Sequence, residues 1–197
     1  MEREYAPLKS AILAPGTGYQ KPSQLLPARV RMESPAIEVM TDLRIVAPVT
    51  IEAEADIDTA NTRMIVNRVR LLLVVDHQSS VMGLVTATDV LGEKPMQVIQ
   101  SRGCRHEEVL VRDIMTPQSR LEVIAMGDVL GAKVGNVVQT LKRADRQHAL
   151  VVDIDENQQQ RVRGIFSLTQ LARQLGIQIH AYELARTFSE IQAALPR

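Results

Sequence analysis

From residue 36 to residue 176 the chain runs twice through the same succession of apolar and polar stretches. LLLVVD at 71–76 and HALVVD at 148–153 are apolar without alternation over 71–75 and 149–152, the pattern of a strand buried on both faces. Ahead of each lie a short strand, VTI at 49–51 or LEVI at 121–124, and a helix. The helix shows as apolar residues at steps of three and four: Ile57, Ala60, Met64 and Ile65 in the first copy, Leu130, Val134, Val137, Val138 and Leu141 in the second. A turn follows the central strand, short in DHQSSV and long and polar in DIDENQQQRVR. A third strand, 81–86 or 162–167, then enters a second helix. Each copy reads β-α-β-β-α, and neither can cover its own sheet. Two copies packed face to face as a pseudo-twofold pair, an α+β fold, solve that problem.

Outside the repeats the pattern changes. Residues 1–34 carry Pro7, Pro15, Gly16, Gly18, Pro22 and Pro27, which resist regular structure, so this stretch is an arm or linker. Two accounts fit it: a flexible tail, or an arm covering its own domain or a partner subunit, since Leu25, Leu26, Val30 and Met32 are costly to leave in water. The repeats themselves take 35–95 and 110–176, with 96–109 joining them. From 177 to 197, Ile177, Ala181, Leu184, Phe188, Ile191 and Leu195 recur at helical steps, predicting an amphipathic helix that packs on its own core or a twin subunit.

Composition narrows the function. Hydrophobic residues make up 45% of the 197 and aromatics 3%, so the core is aliphatic. With 23 basic and 23 acidic side chains there is no positive surplus for nucleic acid. No apolar run is long enough to span a membrane, and no signal peptide is read at the N-terminus. A single cysteine, Cys104, points to a reducing, cytoplasmic setting. His77, His106, His148 and His180 do not cluster with it, so no metal site is expected. Asp153, Asp155 and Glu156 open like a calcium loop but lack its later ligands, which leaves a solvated hairpin. No nucleophile–base arrangement has local support, so no catalytic residue is assigned and no cofactor is required.

Two motifs recur in fixed order. EVMTDL at 38–43 matches DIMTPQ at 113–118, and GLVTATD at 83–89 matches GIFSLTQ at 164–170, with the central strands between them; the offsets are 75, 81 and 77 residues. The glycine lets a ligand approach the strand. Thr86 at a helix start stands beside free N–H groups and the positive end of the helix dipole, which suits a phosphate. Asp89 can accept two bonds from a vicinal diol, each worth about 1.5–3 kcal/mol. The same spacing also reads as a capping box, in which hydroxyl and third residue close the helix start between them. Gln170 has the better reach for capping and Asp89 the better charge for a diol, so both readings stand.

Together the paired Met-Thr elements, the Val-Val-Asp strands and the glycine–apolar–apolar–Thr/Ser–x–x–Asp ending resemble a tandem pair of cystathionine-β-synthase-type (CBS) domains. The resemblance covers roughly 36–176. It implies two clefts between the repeats, often a dimer, and an adenosyl ligand: AMP, ADP, ATP or S-adenosylmethionine. Carried over, it places Asp89 on the ribose and Thr86 on phosphate in the first cleft, with Met40, Thr41 and Leu43 along the base. In the second cleft it places Ser167 at the phosphate and Met115 and Thr116 by the base. Gln170 stands where the family pattern has Asp, weakening the ribose contact there. His148 stands where many relatives carry Arg, and Leu71 takes that place in the first copy; Arg70, one residue earlier, points to the other face. The expected function is a stand-alone regulatory sensor, not an enzyme, homodimeric, binding its ligand chiefly at the first-repeat motif and acting on an unidentified regulated protein. The alternative is a constitutive dimerisation or docking module with vestigial sites.

Overall fold

Neither central strand can be satisfied by one layer, because its apolar residues point both ways. The computed structural model, which describes residues 11–17 and 22–177, resolves this with two four-stranded sheets and two kinds of core. The chain forms β1 (Thr41–Asp42), β2 (Thr50–Glu52), α1 (Ile57–Asn67), β3 (Leu71–Val75), β4 (Val81–Thr86) and α2 (Ala87–Leu91). Next come α3 (Lys94–Arg102) and α4 (Val111–Ile114). The second half then runs β5 (Thr116–Pro117), β6 (Val123–Ala125), α5 (Met126–Gly131), α6 (Val134–Arg143), β7 (His148–Ile154), β8 (Gln160–Ser167) and α7 (Leu168–Gln174). Leu72 and Val74 face the helices of the first half, and Val151 those of the second. Leu71, Leu73, Leu84 and Leu150 meet between the halves. This is the expected pseudo-twofold α+β pair. The amphipathic helix expected over 177–197 falls, apart from Ile177, outside the described residues.

The sheets contain an exchange that chain order conceals. One sheet runs β2-β3-β4-β5 and the other β1-β8-β7-β6. The Met-Thr strand that opens each repeat therefore pairs with the sheet of the other repeat. Thr41 lies opposite Ile165 and Asp42 opposite Gly164, while Leu84 lies opposite Thr116 and Gly83 opposite Pro117. Arg163 adds an ion pair to Asp42 across the first of these seams.

The motif glycines serve this exchange. A Cβ on Gly83 would sit 2.5 Å from the carbonyl oxygen of Thr116, and one on Gly164 would sit 2.4 Å from the Sδ of Met40. Met40 is fully buried, so it has nowhere to retreat. The close approach expected of a ligand is made instead by the partner repeat's strand.

The helices depart from the periodicity in two places. The spacing puts Leu130 and Val134 on one helix, but the helix breaks between α5 and α6 and Leu130 is exposed. At the break the carbonyl of Ala132 accepts from Ala36 N–H at 2.9 Å, and Val134 N–H donates to Ser34 O at 2.8 Å. The incoming chain has taken groups that a continuous helix would pair with itself. The first half repeats the device: Val111 N–H donates to Ala55 O and Ile57 N–H to Val109 O. Ile65, which the same spacing puts on the inner face, lies on the open side of α1.

The two stretches that precede the halves are thus equivalent. Residues 96–109, expected as a connection, contain most of α3. Residues 22–34 form an arm on the second half, the second of the two accounts that fit this stretch. Gln24 donates to Met40 O at 2.9 Å and accepts from Asp42 N–H at 2.7 Å. Gln174, buried at the end of α7, donates to Pro27 O at 2.8 Å and accepts from Val30 N–H at 2.9 Å. Val30 and Met32 pack on the second core, whereas Leu25 remains 96% exposed.

Gly83→Ala should push β5 off its partner and lower stability by about 1–3 kcal/mol, read as a lower urea midpoint with unchanged slope. Gly127→Ala, where a Cβ meets nothing within 4 Å, should leave stability unchanged or raise it by up to about 1 kcal/mol.

Candidate functional site

Two clefts related by the pseudo-twofold flank the seam between the halves. The register makes their parts equivalent: Leu71 pairs with Thr86 as His148 pairs with Ser167. One cleft, about 900 Å³, is lined by Thr41, Arg70, Ser167, Gln170 and Arg173, among others. The other, about 240 Å³, is lined by Thr86, Asp89, Thr116, Glu122 and Asp145, among others. Ligand sites generally occupy about 300–1,000 Å³, so only the larger has room for a nucleotide as it stands.

The grouping of site residues expected from chain order is corrected by the strand exchange. Thr41 belongs with Ser167 and Gln170, and Thr116 belongs with Thr86 and Asp89. Met40 lines neither cleft, being sealed in the second core. Met115 packs against the first core. Leu43 faces a third groove, of about 970 Å³, beside the turns at the hairpin tips.

The carboxylate of Asp89 is already engaged. Its Oδ2 accepts from Thr86 N–H at 2.8 Å and from Thr86 Oγ1 at 2.7 Å, while Asp89 N–H donates to Thr86 Oγ1 at 3.3 Å. Oδ1 lies 2.6 Å from Lys94 Nζ, which also donates to Ile114 O at 2.9 Å. Motif residues Thr86 and Asp89 thus form the capping box, and α3 supplies the counter-charge. In the other half, Ser167 makes no side-chain cap. Gln170 Nε2 donates to Val39 O at 3.1 Å and to Gln174 Oε1 at 3.4 Å. The preference read from side-chain length is reversed: Asp89 caps and Gln170 does not. Val39 and Ile114 are equivalent, each preceding Met-Thr, so the two motifs satisfy the same carbonyl by different means.

His148 lines both clefts. Its Nδ1 is buried without a partner among the described residues. Burial pushes its pKa down to about 4, Arg70 pushes the same way, and Asp89 opposes. At neutral pH it is therefore an uncharged imidazole and brings no cation to either cleft.

The cations of the larger cleft come from elsewhere. Arg29 enters from the arm, Arg68 and Arg70 precede β3, and Arg173 follows Gln170 by one helical turn. None is paired with a carboxylate among the described residues, and no acidic side chain among them lines the cleft. The spacing of Arg173 from Gln170 is a readable signal; the convergence of the other three is not. At the equivalent positions the smaller cleft has Asp145 for Arg68 and Gln147 for Arg70, and Gln147 closes on Thr88 Oγ1 at 2.9 Å. No group of His, Cys, Asp and Glu among the described residues could hold a metal ion. No described helix is long and apolar enough to cross a membrane.

Residues 36–95 match the family model of the CBS domain. No curated protein matches the sequence. Among solved structures, an uncharacterized conserved protein from Pyrococcus horikoshii is 19% identical, with a TM-score of 0.54 over 77% of this chain and 99% of its own. CBSX2, a CBS-pair protein of Arabidopsis thaliana solved in complex with AMP, is 18% identical, with a TM-score of 0.51 over 71% of this chain and 94% of its own. The CBS-domain pair of protein MJ0100, solved with 5′-methylthioadenosine and S-adenosyl-L-methionine, is 17% identical, with a TM-score of 0.50 over 73% and 96%. The fold is that of a CBS-domain pair. Its first repeat is a CBS domain by sequence as well.

Between pH 6.5 and about 4 the unfolded chain binds a proton at His148 that the folded chain does not. Acidification through this window should therefore remove stability, by up to roughly 3 kcal/mol, and above it His148 should contribute no slope. Urea midpoints measured from pH 4 to 7.5 check this: His148→Leu, which installs the residue found at Leu71, should lose that part of the slope.

Proposed function

We propose that the protein is a regulatory module, not an enzyme, that takes a phosphate-bearing adenosyl ligand in the arginine-lined cleft beside Ser167. The observation that carries this reading is four arginines, unpaired among the described residues, around a cleft of about 900 Å³ with no carboxylate in its described lining. Charge-assisted bonds from guanidinium to phosphate are the strong ones. The fold relatives solved with AMP and with S-adenosyl-L-methionine support an adenosyl ligand. Of the candidates AMP, ADP, ATP and S-adenosylmethionine, the charge of the cleft favours the nucleotides, because a sulfonium cation is repelled there.

The preference for the Asp89 cleft, natural on sequence grounds, is given up. That carboxylate already accepts from Thr86 N–H, Thr86 Oγ1 and Lys94, which leaves little of its capacity for a ribose. The ligand we propose touches Arg70 and Leu71 from the first half and Ser167 and Arg173 from the second, so it favours one arrangement of the halves over another. Such a shift is what a regulated protein or a twin subunit would read. The engaged Asp89 motif favours a second reading, a docking module indifferent to nucleotides.

Calorimetric titration with ATP, ADP, AMP, adenosine and S-adenosylmethionine separates the two. Affinity should fall from ATP to AMP, weaken with salt, and drop about ten-fold or more in Arg70→Ala and in Arg173→Ala. Asp89→Ala should keep nucleotide binding while losing about 1 kcal/mol of stability with its cap. Equal affinity for ATP and S-adenosylmethionine, or binding lost in Asp89→Ala and kept in both arginine variants, would overturn the proposal; binding of none of them favours the docking module.

A further inference from the structure

Arg29 differs from the other three cleft arginines in what carries it. Arg68 and Arg70 stand at the entry to β3 and Arg173 stands on α7, all parts of the repeats. Arg29 stands on the arm, between the two contacts that fasten this stretch to α7. Pro27 O on one side and Val30 N–H on the other both bond to Gln174. The guanidinium leans toward the chain end of α7: a Cβ on Gly176 would lie 3.4 Å from Arg29 Nη1. It is exposed and has no ion pair among the described residues.

Around Arg29 the arm has no regular structure, and from Ala28 to Arg31 the backbone bonds to the second half through Val30 N–H alone among the described residues. Segments with few buried contacts and exposed backbone open at low free energy. An anion in the cleft, held by Arg70 and Arg173, would give the arm a further attachment only while it is closed. Such a ligand binds the closed arm better than the open one, and the coupling runs both ways.

Resting on the reading of the cleft above, we propose that Arg29 is a ligand-binding residue supplied by the arm, through which a phosphate-bearing ligand fastens the arm onto α7. Occupancy is thereby converted into closure of residues 28–31, which lie between the arm's attachments at Pro27 and Met32. Adenosine, which has no phosphate, would fill the cleft without fastening anything.

Hydrogen exchange of the Val30 amide in the full chain tests this, with calorimetry on the same samples to show binding. ATP should slow Val30 exchange about ten-fold, and adenosine should not. In Arg29→Ala the slowing should vanish while ATP still binds, about ten-fold more weakly, and Arg29→Lys should restore part of it. ATP bound without slower exchange at Val30, or the same slowing in Arg29→Ala, overturns the role of the arm and leaves the nucleotide cleft standing. No heat of ATP binding overturns both.

Discussion

The pairing of each Met-Thr strand with the opposite sheet is the constraint on which the rest depends. The two-residue strand β1 completes the sheet of the second half, and β5 completes that of the first. Without its visitor each sheet would present an open edge beside a glycine, with backbone groups unpaired. Neither repeat is therefore a closed unit, and the seam between them is partly backbone hydrogen bonding as well as the leucine cluster of Leu71, Leu73, Leu84 and Leu150. The clefts are a by-product: they lie where a strand from one half ends against a helix start of the other.

The same exchange explains why the two glycine motifs can differ without either half failing. The carbonyl before each Met-Thr strand needs a donor. In one half Lys94 supplies it, and Asp89 balances the ammonium while closing its own helix. In the other half the amide of Gln170 reaches Val39 O directly. A carboxylate needs the lysine, because it has no donor of its own; a carboxamide needs none. Gln170 is thus a different solution to one structural requirement, and the Asp-to-Gln difference between the copies follows from what α3 and the arm bring alongside.

Different charges at equivalent positions make the two clefts unlike. Arg68 and Asp145 occupy equivalent left-handed positions, at φ 55° and 49°, just ahead of β3 and β7. One brings a cation and the other an anion to its cleft. Arg70 and Gln147 diverge in the same way, and His148, uncharged at neutral pH, forms the shared wall. The zero net charge of the chain conceals this local asymmetry: the arginines of one cleft have no carboxylate partner among the described residues, while in the other Asp89 and Glu122 are balanced by Lys94 and Arg146.

The duplicated pattern, the buried central strands and the helix starts were legible in the sequence because they are set by local periodicity and by side chains a few residues apart. The motif positions were legible for the same reason. Their partners were not. Lys94 meets Ile114 only once the first half has folded, and Thr41 meets Ser167 and Arg29 joins Arg70 and Arg173 only after the halves have exchanged strands and the arm has crossed α7. Local pattern determined that Thr86 and Asp89 begin a helix together; tertiary structure decided that Lys94 balances Asp89 there, and that the arginines without a carboxylate partner among the described residues lie at the other cleft. The physical reason is that hydrogen-bond and charge partners are settled by distance in space, and across an exchanged strand that distance bears no relation to separation along the chain.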